Sequence, residues 1–163
     1  MTIIPMSETE YNAWAPRSRE SFAADKMRAN DLTKAEADKV ALEAFNRLLP
    51  DGLNSKDNFL FAARDEKQNT LGFVWFCLRG EEDNKRAFIC DVIIDEPYRG
   101  KGYGRQLMLL VEQEVKAKGL SRIGLHVFSF NETAIRLYRS LGYITTDLTM
   151  EKDLSTLVTI NRL

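Results

Sequence analysis

The sequence predicts an α/β (α+β) fold: a mixed, mostly antiparallel central sheet with one parallel strand pair and helices on both faces. Three features carry that expectation. Apolar runs at residues 59–63, 71–78 and 87–94 are joined by short polar links, the mark of antiparallel neighbours. The next apolar run, from Arg122, lies beyond a link long enough to hold a helix, the crossover that parallel neighbours need. On either side of this β-rich middle, apolar residues recur at helical spacing.

Taken in order, residues 2–6 form a brief strand ended by Ser7. Ser7-Glu8-Thr9-Glu10 has the S-x-x-E spacing in which two side chains satisfy the free amides of a helix start. The helix behind it carries Tyr11, Trp14 and Phe22 and runs to about Ala29. Pro16 inside it removes a hydrogen bond and predicts a kink or a break. Thr33-Lys34-Ala35-Glu36 repeats the capping box, and Ala37, Val40, Ala41, Ala44, Phe45 and Leu48 follow the i, i+3, i+4, i+7 rule. Pro50-Asp51-Gly52 stops that helix.

Strand 71–78 is apolar on both faces and therefore central. The charged link 81–85 is a hairpin loop, and Pro97 ends strand 87–94. Residues 104–118 make a helix with Leu107, Met108, Val111 and Val115 on one side and Gly119 as its C-cap. A strand over 122–128 follows, then a helix from Asn131 with Ala134, Leu137, Tyr138 and Leu141 inward and Gly142 closing it. Residues 143–150 return to β, and the tail 157–163 adds a short strand. No repeat, low-complexity stretch or linker interrupts the chain, which predicts a single domain over residues 1–163.

Composition excludes several functions and selects none. Apolar residues make up 44% and charged ones 29%, ordinary for a soluble globular protein. Twenty-three basic and twenty-four acidic residues leave a net charge of −1, which gives no whole-protein attraction to nucleic acid or to an anionic membrane. An anionic ligand must then be held by a local site. No apolar run approaches the roughly 20 residues of a membrane span, and residues 1–6 lack the build of a signal peptide. Two cysteines, Cys77 and Cys90, make neither a disulfide framework nor a zinc cluster, so no metal is expected and the cytoplasm is the expected compartment.

The selective segment is Tyr98-Arg99-Gly100-Lys101-Gly102-Tyr103-Gly104, between a strand and a helix. Alternate glycines let the backbone bend sharply and bring its amides close to a ligand. The helix opening here offers unpaired N–H groups and about half a positive charge, and Arg99 and Lys101 add full charges. Together they suit a diphosphate. Each charge-assisted hydrogen bond contributes about 1.5–3 kcal/mol, so four or five hold a polyanion. The dinucleotide fingerprint G-x-G-x-x-G fails on spacing, since the glycines fall at 100, 102 and 104. The nucleotide loop G-x-x-x-x-G-K-[ST] is not matched.

Arg99-Gly100-Lys101-Gly102-Tyr103-Gly104 resembles the R/Q-x-x-G-x-G/A motif of the GCN5-related N-acetyltransferases (GNAT). Asn131-Glu132-Thr133-Ala134-Ile135-Arg136-Leu137-Tyr138, then Leu141-Gly142-Tyr143, resembles their N-x-x-A-x-x-L-Y…L-G-F/Y signature. The order of elements is also similar, over nearly the whole chain. The capped N-terminal helices and Leu125-His126-Val127-Phe128 are similar to a bacterial subgroup of largely uncharacterised members.

The resemblance implies acetyl-CoA held between two splayed parallel strands, without a metal. It places the diphosphate on the amides of Arg99, Gly100, Lys101, Gly102, Tyr103 and Gly104. It places the pantetheine arm along Val92, Ile93 and Ile94, with Asn131 on the arm and Tyr138 near the sulfur. Splayed strands leave unpaired N–H and C=O groups that an amide-bearing arm satisfies.

Transfer to an amine makes three chemical demands. The amine must lose a proton, because with a lysine-like pKa only about one molecule in a few thousand is neutral at pH 7. The oxyanion needs a donor, for which a backbone amide at Ile93 or Ile94 is the candidate. The departing thiolate needs a proton, a role assigned to Tyr138. The sole histidine, His126, is the first candidate for the base, with its near-neutral pKa. Asp91, an acid inside an apolar strand, ranks below it as base or as anchor of a neighbouring loop. Cys77 and Cys90 read as core residues.

The expected activity is therefore acetyl transfer from acetyl-CoA to a primary amine of a small molecule or peptide. Two alternatives stay open: a catalytically silent CoA-binding module, and transfer of another acyl group. The resemblance places the acceptor against the first two helices, their connection at residues 30–33, and the last strands. Tyr11, Trp14 and Phe22 suit either an aromatic acceptor pocket or the core. The tail from Leu157 suits pairing with a second chain's sheet edge in a homodimer.

Overall fold

The structure, a computed structural model, describes residues 1–152 and Leu154. Its elements follow the order β1 (Thr2–Pro5), α1 (Glu8–Asn30), α2 (Lys34–Leu48), β2 (Asn58–Arg64), β3 (Thr70–Arg79), β4 (Arg86–Ile94), α3 (Tyr103–Ala117), β5 (Ile123–Leu125) and α4 (Glu132–Ser140). The five strands form one sheet in sequence order. The first four pair antiparallel, and β4 pairs parallel with β5. The mixed sheet and its single parallel pair are thus as the sequence predicts.

Alternation along the central strands builds a core on each face. From β2 and β3, Phe61, Ala63, Val74 and Phe76 point to one side, where they meet Leu107, Met108, Val111 and Val115 of α3. Leu60, Ala62, Phe73 and Trp75 point to the other side, against Trp14 of α1 and Leu49. Between α1 and α2 lie the fully buried Ala23, Ala37 and Ala41, small enough to let the two helices approach closely. Both capping boxes form: Glu10 accepts from the Ser7 backbone N–H at 2.9 Å and Glu36 from that of Thr33 at 2.9 Å.

Pro16 does not break α1. Its own position and that of Asn12, whose carbonyl loses a partner, are exposed, so water satisfies the freed group while buried Trp14 holds the helix to the sheet. Two expectations are corrected. The strand predicted over 122–128 is regular only at Ile123–Leu125, and the strand predicted over 143–150 does not form. Among the described residues each lacks a hydrogen-bonding neighbour there, and a strand without one has nothing to hold its backbone extended. The predicted tail strand 157–163 lies outside the described residues.

Candidate acyl-carrier cleft and active site

The cleft starts from a misfit in the sheet. Trp75 pairs with Asp91 but Phe76 pairs with Ile89, so Cys90 is an extra residue on β4. A bulge of this kind bends its strand and increases the local twist. The parallel pairing with β5 ends just there, at Ile89 opposite Leu125, while β4 runs on to Ile94. Val92, Ile93 and Ile94 still pair with Val74, Phe73 and Gly72 of β3. Their edge toward β5 has no strand partner among the described residues.

Gly72 keeps the bent end of β4 against β3: a Cβ there would lie 2.1 Å from the Ile93 carbonyl oxygen. Sequence reading passed over this glycine, although an isolated glycine in an apolar strand signals close backbone approach.

The glycine turn sits at the mouth of the opening. A 3₁₀ turn over Glu96–Tyr98 leads from β4 into Arg99, whose Nε donates to the Ile94 carbonyl at 2.8 Å. Lys101 Nζ donates to the Pro97 carbonyl at 2.9 Å. Gly100 and Gly102 have φ of +74° and +81°, a conformation that costs other residues about 1–2 kcal/mol. A Cβ at either would meet nothing within 4 Å, so the space beside them is open. Gly104 differs: it is helical, and a Cβ there would lie 3.4 Å from Leu137 of α4. Gly102 is the N-cap of α3 and supplies no side-chain bond, whereas Ser7, Thr33 and Asn131 cap α1, α2 and α4. The first amides of α3 are left for an anion. An uncapped helix start, an open glycine cradle and an unpaired strand edge in sequence fit a diphosphate-bearing acyl carrier.

Asn131 stands at the start of α4, its Oδ1 accepting from the Ala134 N–H at 3.2 Å. Seven residues on, Tyr138 packs against the α3-side core with its ring 5.8 Å from that of Tyr143. Burial, with the Asp91 charge adding to it, pushes the Tyr138 hydroxyl up to about 12, so it is protonated at neutral pH.

Asp91 is held by α1. Trp14 Nε1 donates to its Oδ2 at 3.0 Å and Ser18 Oγ donates to the same oxygen. Trp14 and Ser18 are one helical turn apart and so share the face that α1 turns to the sheet. Burial raises the Asp91 carboxyl above the usual range, against the lowering effect of these two donors. Nearby, Arg17 reaches Asp95 at 3.1 Å and ties α1 to the segment beyond β4. A narrow cavity of about 30 Å³ opens between Ser18, Ser21, Phe73, Asp91 and Ile93. Nothing in the sequence pointed to Ser18, because its role depends on a partner far along the chain.

His126 stands just past the end of β5, exposed, its ring edge-on to Phe128 at 4.8 Å. Partial desolvation of the ring, then the Lys26 charge, lower its pKa from the ordinary value. Trp14 is core, edge-on to Trp75 at 5.8 Å, and Tyr11 tilts against it at 5.9 Å. Cys77 and Cys90 are free thiols 3.3 Å apart on β3 and β4. The Cys90 thiol donating to Cys77, with Arg79 close by, makes Cys77 the more acidic of the two.

The sequence model described as Acetyltransferase (GNAT) family matches residues 19–143. The uncharacterized N-acetyltransferase YycN of Bacillus subtilis is 32% identical over 156 residues, covering 94% of this chain and 100% of that one. A crystal structure of YycN superposes with a TM-score of 0.88, covering 94% of this chain and 99% of that chain. The spermine/spermidine N(1)-acetyltransferase of B. subtilis is 37% identical over 78 residues, 45% of this chain and 51% of that protein. Glycine cradle, splayed strands and sequence agree, and the chain belongs to the GNAT family of acetyltransferases.

Proposed function

We propose that the protein is a single-domain, cytoplasmic N-acetyltransferase that moves the acetyl group of acetyl-CoA directly to a primary amine of a small molecule or peptide. The observation that carries this reading is the opening of β4 away from β5 with the uncapped start of α3 at its mouth. Amides of residues 100–104, with the Arg99 and Lys101 side chains, take the diphosphate; the expected Arg99 amide is not among them, because its N–H donates to the Glu96 carbonyl at 3.2 Å. The free edge of Val92, Ile93 and Ile94 pairs with the pantetheine amides, and the Asn131 side-chain amide faces the same arm. When bound, acetyl-CoA supplies the activated acetyl group. All other chemistry falls to this chain.

Tyr138 holds its proton at neutral pH and gives it to the departing sulfur. A backbone N–H of Ile93 or Ile94 faces the developing oxyanion. For the amine's proton, Asp91 is favoured over His126 because it lines the cavity beside Ile93, whereas His126 stands just past the end of β5. A carboxyl with a raised pKa is the stronger proton acceptor once ionised. His126 is the second candidate, and the pH profiles of Asp91→Asn and His126→Gln separate the two. The polyamine acetyltransferase among the relatives supports an amine acceptor.

The test is thiol release from acetyl-CoA across a panel of primary amines. Release that depends on an amine supports the reading. CoA binding without release under any acceptor would make the protein a silent binding module, and faster release from a longer acyl-CoA would change the group transferred.

A further inference from the structure

One cluster of reactive side chains takes no part in acetyl transfer. It sits where the β3–β4 ladder is interrupted. Cys90 is the extra residue of the β4 bulge, and Cys77 of β3 lies directly opposite Phe88. Opposed residues share a face of the sheet, and so do Cys77 and Arg79, two positions apart. Arg79 stands over the Phe88 ring, its Cζ 3.4 Å from the centroid. The Cys90 thiol donates to Cys77 with 3.3 Å between the sulfurs, and its sulfur lies 3.6 Å from the Phe88 carbonyl oxygen. Both thiols are free, and they are the only cysteines of the chain. Cys77 is 3% exposed, whereas Cys90 is only partly covered, which leaves a path for a water-sized oxidant. The hydrogen bond from Cys90, with Arg79 beside it, lowers the Cys77 thiol to about 6 against the effect of burial. The thiolate, favoured there, is the reactive form of a cysteine.

We propose that Cys77 and Cys90 are a modification site for hydroperoxides, a dithiol whose reversible disulfide staples the β4 bulge to β3. The Cys77 thiolate attacks one peroxide oxygen, the O–O bond breaks, and hydroxide leaves, so Cys77 becomes a sulfenic acid. The Cys90 sulfur then attacks the Cys77 sulfur. The S–S bond forms as the S–O bond breaks, and the sulfenic hydroxyl leaves as water with the proton of Cys90. Two electrons pass from the thiols to the peroxide. Closing the bond asks for a small movement of Cys90, which the bulge takes up because its extra residue has no ladder partner. A ladder resists local opening least where its hydrogen bonds are interrupted, so the tie acts at the weakest place between β3 and β4. Cys90 also precedes Asp91, so the same tie fixes the backbone that presents Asp91 to α1. Exchange with small thiols reverses the bond. The inference does not depend on acetyl transfer.

Treatment of the reduced, full-length protein with a small excess of hydrogen peroxide tests it, read by intact mass, thiol titration and hydrogen exchange. The expected product has lost two hydrogen atoms per chain and both titratable thiols, yields one peptide pair joined through Cys77 and Cys90, and returns to the starting mass with dithiothreitol. Amide exchange at residues 88–91 is expected to slow in the oxidised form and recover on reduction. Cys90→Ser, which keeps the attacking sulfur and removes the resolving one, is expected to gain oxygen instead of losing hydrogen, with dimedone labelling Cys77. Thiols that survive the peroxide in the folded protein overturn the inference. So do oxygen gain at both cysteines without a link, a disulfide that joins two chains, and a Cys77–Cys90 bond that leaves exchange at residues 88–91 unchanged. Dimedone labelling confined to Cys90 in the wild type would overturn the assignment of Cys77 as the attacking sulfur.

Discussion

Gly72 and Ile93 touch backbone to backbone: a Cβ on Gly72 would lie 2.1 Å from the Ile93 carbonyl oxygen and 2.9 Å from the Ile94 Cα. This contact holds the end of β4 to β3 while the bulge at Cys90 turns it from β5, so the opening is fixed from behind. Gly72→Ala is expected to destabilise the protein by about 1–3 kcal/mol, the usual cost of overpacking. Thermal unfolding checks this, and an unchanged midpoint would mean that β4 adjusts freely.

At the cradle, Gly100 and Gly102 carry the left-handed backbone and border open space. Gly102→Val is expected to weaken CoA binding about tenfold or more, through lost amide bonds, with little loss of secondary structure. Gly104→Val is expected to act differently, shifting α4 through Leu137 and lowering stability as well as affinity. Calorimetric titration and thermal melts of both variants distinguish the two effects.

Tyr138→Phe removes the hydroxyl that burial keeps protonated. Turnover is expected to fall by about 10²-fold or more while the acetyl-CoA dissociation constant changes little, as for loss of a general acid. Equal turnover in steady-state assays would remove Tyr138 from the chemistry.

The folded-state pKa of Asp91 is raised above its ordinary value of 3.8, chiefly by burial. Its protonated form is therefore favoured by folding, so this residue lowers stability as pH rises from about 3.8 through the raised value and costs the same amount at every higher pH. Asp91→Asn is expected to lack that slope, gaining on the wild type across this window. Chemical denaturation at a series of pH values measures the difference. Parallel stability curves would show that Asp91 does not titrate differently in the folded protein.

The sequence made the helices and the central strands legible because each signal is local. Both capping boxes, the α3 face of Leu107, Met108, Val111 and Val115, and the turn at Gly100 and Gly102 depend only on neighbours in the chain. What it hid is long-range. The Ser18–Asp91 bond joins residues 73 apart, and the extra residue at Cys90 exists only relative to β3. The missing strands at 126–128 and 143–150 have strand-like sequences yet lack a neighbour among the described residues, and pattern alone supplies no partner. Whether Pro16 breaks its helix is a related case: the outcome depends on which side of the helix meets water.

The most direct measurement is calorimetric titration of the protein with acetyl-CoA. The cradle and the open β4 edge predict saturable heat at one site per chain, retained with free CoA and weakened in Gly102→Val. A flat titration with both ligands would contradict the account.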